Sequence, residues 1–178
     1  MKSDRAEVAH LFRRAGFGAT AKELDVLTET MTYEDIVDQL INVDESPDID
    51  QCYIDRYYGG EGFQMYVATW IYRMLNSRRP LQEKMTLFLH HIFPVAWSKG
   101  QHAYTLFSEI DTFRKISMTD FRNILLELSR DPAMLYWLDN NENHKGEINE
   151  NYGRELLELF SMGIGTVSYT HLPLPTRD

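Results

Sequence analysis

Residues 144–165 read HKGEINENYGRELLELFSMGIG, a polar, asparagine-rich loop running straight into a short apolar helix that carries three glutamates and one arginine. With a helix start near Asn149 or Asn151, Glu150, Arg154 and Glu158 stack four residues apart and hold one guanidinium between two carboxylates. Glu150 or Glu155 could then act as a base or as a cation ligand, while Arg154 orients it or stabilises an anion. The loop before it contributes Asp139, Asn140, Asn141, Asn143 and Asn149, many polar side chains for one connection. Gly153 in the first turn costs helix stability unless something approaches its backbone closely. The helix end offers free N–H groups to an anion, whereas the carboxylates around it favour a cation. The plainer reading is a surface ion-pair ladder worth about 0.3–0.5 kcal/mol per pair, with Asn149 or Asn151 as N-cap.

Two further groups could join such a site. His90 lies in LQEKMTLFLHHIF nearly opposite the stripe of Leu81, Met85, Phe88 and Ile92, close to the direction of Glu83. Leu87 and Leu89 widen the apolar surface, so His90 is expected to be buried, either satisfied by Glu83 or a backbone carbonyl or serving as a second proton-transfer group or metal ligand. His90 and His91 point about 100° apart on a helix and do not suit one ion together. Arg13 and Arg14 close the first helix, where cations suit the dipole. The sharper alternative sends one of them to the carboxylates of Glu150, Glu155 or Glu158. The expected binding set is therefore Arg13, Arg14, Asp139, Asn143, Asn149 and Asn151. A competing interaction reading makes all these charges a structural network and gives partner contact to the tyrosine-rich loop YIDRYYGGEGF at 53–63. No HExxH, CxxC, phosphate-binding glycine loop or GxSxG occurs, so cofactor, metal and substrate stay unspecified.

The elements that would position these groups read as helices, and the expected fold class is all-α. Apolar residues recur three and four apart over 3–15, 63–77, 80–92, 101–115, 119–129 and 132–138. Thr20 with Glu23, and Thr32 with Asp35, form capping boxes for two short helices, and Pro80 sits where a first turn tolerates it. Gly16-Phe17-Gly18 ends the first helix through a left-handed glycine cap. Residues 44–62 mix acidic, glycine and tyrosine residues without period and are expected to form a long surface loop. The 178 residues, 43% of them apolar, suffice for one cored domain. A net charge of −9 argues against nucleic acid and anionic membranes, and no apolar run suits membrane insertion or an export signal. The single cysteine, Cys52, excludes an internal disulfide and is expected to be a half-buried thiol without a role.

Three stretches occur together: HLFRRAGFGAT at 10–20, PLQEKMTLFLHHIF at 80–93, and DPAMLYWLDNNENHKGEINENYGRELLELFSMGIG at 131–165. In type and order they resemble the successive signatures of the bacterial family catalogued as domain of unknown function 1800. The resemblance implies a large, mainly helical bacterial domain, often exported, often encoded beside another uncharacterised family and without an assigned activity. It also implies that the sequence continues past Gly165 into further helices, so residues 1–165 are expected to be the N-terminal part of a larger helical domain. The last residues, VSYTHLPLPTRD, resemble adapter read-through at the end of a metagenomic reading frame, and 166–178 are expected to be a non-native or disordered tail. One departure bears on the site: the family's second motif often separates two histidines by one residue, whereas His90 and His91 are adjacent.

Overall fold

The computed structural model describes residues 3–58, 60 and 62–163; the expected tail, 166–178, lies outside the described residues. The fold is all-α. The helices are α1 (Arg5–Ala15), α2 (Ala21–Thr30), α3 (Tyr33–Ile41), α4 (Gln51–Tyr58), α5 (Phe63–Asn76), α6 (Pro80–Ile92), α7 (Trp97–Gly100), α8 (Ala103–Ile116), α9 (Phe121–Leu128), α10 (Pro132–Trp137) and α11 (Asn151–Leu157). A π-helical turn, Glu158–Met162, continues α11, and single 3₁₀ turns cover Val43–Glu45 and Asn140–Glu142. Among the described residues no helix is long and apolar enough to cross a membrane.

Local chemistry sets the starts of these helices. Thr20 accepts from Glu23 N while the Glu23 carboxylate accepts from Thr20 N at 2.7 Å; Thr32 and Asp35 repeat the exchange, so both expected capping boxes form. Asp4 caps α1, and Ser3, expected to open that helix, instead donates to the Met31 carbonyl. Pro80 and Pro132 occupy first turns, where a missing N–H costs nothing.

The long loop expected over 44–62 is corrected by α4. Its tyrosines supply the reason, since Tyr53 packs against Tyr57 one turn on, at 4.7 Å between ring centroids, and against Tyr72 of α5 at 6.0 Å. Ile54 of the same helix is buried. The turn after α1 is also corrected. Gly16 has an extended backbone, φ −158°, and its need for glycine is space: a Cβ there would lie 2.9 Å from Pro80 Cβ. Gly18, at φ +101°, takes the left-handed conformation.

Two hydrophobic clusters result. Val8, Leu24, Ile36 and Leu40 bind α1, α2 and α3 together, with Leu81 of α6 packed against them. The larger cluster gathers Leu89, Phe93, Ile110, Phe113, Leu128, Met134 and Phe160 from α6, α8, α9, α10 and the π-helical turn. Helix α6 therefore contributes its first turn to one core and its last turns to the other.

Candidate functional site

The corner between α10 and α11 holds the asparagine-rich segment. Asp139, at φ +57°, turns the chain out of α10. Asn143 donates to the Asn140 carbonyl at 2.9 Å, and its own Oδ1 accepts from Asn149 N at 2.7 Å. The Asn149 amide donates to the Asp139 carbonyl at 3.2 Å, and its oxygen accepts from Asn151 N at 2.9 Å. Asn151 reaches the Leu138 carbonyl at 3.3 Å, and its oxygen receives Arg154 at 2.5 Å. Lys99 of α7 ties the corner from outside by donating to the Trp137 carbonyl at 2.8 Å and pairing with Asp139. Asparagine suits this work because one side chain offers donors and an acceptor to backbone groups that no helix satisfies.

The structure brings together Asp139, Asn143, Asn149, Asn151, Arg154 and Glu155 out of the expected set. Arg154 donates to Glu155 Oε1 at 3.2 Å, taking the adjacent carboxylate in place of Glu150, which is exposed and precedes the helix without a side-chain cap bond. The apolar face of α11 does not continue as a straight 3.6-residue stripe. Tyr152, Leu156 and Phe160 pack on the larger core, but Leu159 is exposed. The cause is the π-helical turn: its wider spiral rotates residues after Leu157 out of the 3.6-residue phase, and Ser161 Oγ bonds the Leu156 carbonyl, five residues back, at 2.7 Å. Gly153 faces open space, with nothing within 4 Å of a Cβ placed there.

The remaining expected residues lie elsewhere. Arg13 and Arg14 are exposed at the end of α1, and among the described residues neither forms an ion pair. His90 is half-buried edge-on to Trp70 of α5, 5.4 Å between ring centroids. Its Nδ1 is buried without a hydrogen-bond partner, and burial, then the neighbouring His91, lowers its pKa, so the ring is neutral. Glu83, one expected partner, is committed to Arg114: Nε to Oε1 is 2.7 Å, both side chains are buried, and Gln82 donates to the Arg114 carbonyl at 3.0 Å. Cys52, expected half-buried, is exposed. Among the described residues no three His, Cys, Asp or Glu side chains converge in a metal-holding group.

Sequence reasoning passed over the buried charges of α5 and α8. Arg73 is buried and reaches Asp48 at 3.0 Å and Gln51 at 2.7 Å. Glu109 is fully buried, neither carboxyl oxygen has a partner, and burial, with Asp131 nearby, pushes its pKa up to about 9. The signal was present: Glu109 stands three residues after Leu106 and four before Phe113, on the apolar face of its own helix.

No curated protein and no solved structure matches this chain. The family description "Protein of unknown function (DUF1800)" matches residues 10–171, a span that takes in the α1 motif, the α6 motif and the whole α10–α11 corner. The chain belongs to that family.

Proposed function

We propose that this domain is a non-enzymatic binding or scaffold module, in which the charged and amide side chains of 139–158 form a structural network. One observation carries the reading: Asn143, Asn149, Asn151 and Arg154 are spent on one another and on the backbone, linked in a chain of bonds from the Leu138 and Asp139 carbonyls to Glu155. A site poised for substrate keeps donors or acceptors turned outward, whereas groups satisfied internally fix a corner.

The competing reading is a hydrolytic or cation-binding site, with Glu150 or Glu155 as base or ligand, Arg154 orienting it and His90 as the second proton-transfer group. The two separate in one experiment, thermal melting with and without millimolar MgCl₂, CaCl₂ or ZnCl₂. The network reading expects Asn151→Ala to lower stability by about 1 kcal/mol, the worth of a typical intramolecular hydrogen bond. It also expects any cation response to be the same in wild type, Glu150→Gln and Glu155→Gln. Cation stabilisation that disappears in the two glutamine variants overturns it in favour of the site.

A further inference from the structure

We draw no further inference here: the strongest candidate, the apolar surface patch on α5 where Ile71 and Leu75 stand exposed next to Tyr72 of the α4–α5 tyrosine seam, carries nothing because no feature of the structure shows what covers it.

Discussion

Glu109 is the residue whose chemistry departs furthest from its type. Its carboxyl is fully enclosed, without a hydrogen-bond partner, and holds its proton to about pH 9 against an ordinary value of 4.5. The unfolded chain releases that proton near pH 4.5 and the folded chain near 9, so folding becomes less favourable as pH rises through that window and levels off above it. Chemical denaturation at pH 5, 7 and 9 should therefore show stability falling by a few kcal/mol from this group. Glu109→Gln, neutral throughout, should flatten the slope. A wild-type-minus-variant difference that stays constant from pH 5 to 9 would dismiss the enclosed carboxyl. Residue by residue, the sequence showed which groups were polar but not where they ended up. Asn143, Asn149 and Asn151 were legible as a cluster because they are close in the chain. The Glu83–Arg114 bond spans 31 positions, and no local period reveals a pair joined across two helices.

At the scale of elements, most helices were readable because their signals are local: a capping box, a proline in a first turn, an apolar stripe. The missed α4 and the unforeseen π-helical turn share one explanation. Each depends on a neighbour, the tyrosine seam with α5 for one and the demand that Phe160 reach the larger core for the other. Helix α11 permits a direct check. Glycine costs a helix interior about 0.5–1 kcal/mol relative to alanine, and nothing stands within 4 Å of a Cβ at Gly153. Gly153→Ala should therefore raise the melting temperature with no loss of any binding the domain has. A lower melting temperature would mean that this backbone is approached by something the present contacts do not include, and would revive the reading of Gly153 as a place of close approach.

For the whole molecule, two cores on one connecting helix make stability uneven. Ile36 is fully buried in the smaller cluster and Phe113 in the larger. Truncation to alanine at such positions costs about 2–5 kcal/mol, but the two should register differently. Ile36→Ala should accelerate amide hydrogen exchange in α1, α2 and α3 while α8 and α10 keep their protection; Phe113→Ala should accelerate exchange throughout the larger cluster. Equal acceleration everywhere in both variants would show a single cooperative unit. Helix α6 gives this its sharpest form, because Leu81 belongs with the three-helix cluster and Leu89 with the main one. Opening of the smaller cluster strips side-chain cover from the first turn of α6 and leaves the last turns clamped. A single continuous helix should then exchange as a gradient, fast at its proline end and slow near Phe93, so that one helix reports the relative free energies of two separate unfolding events.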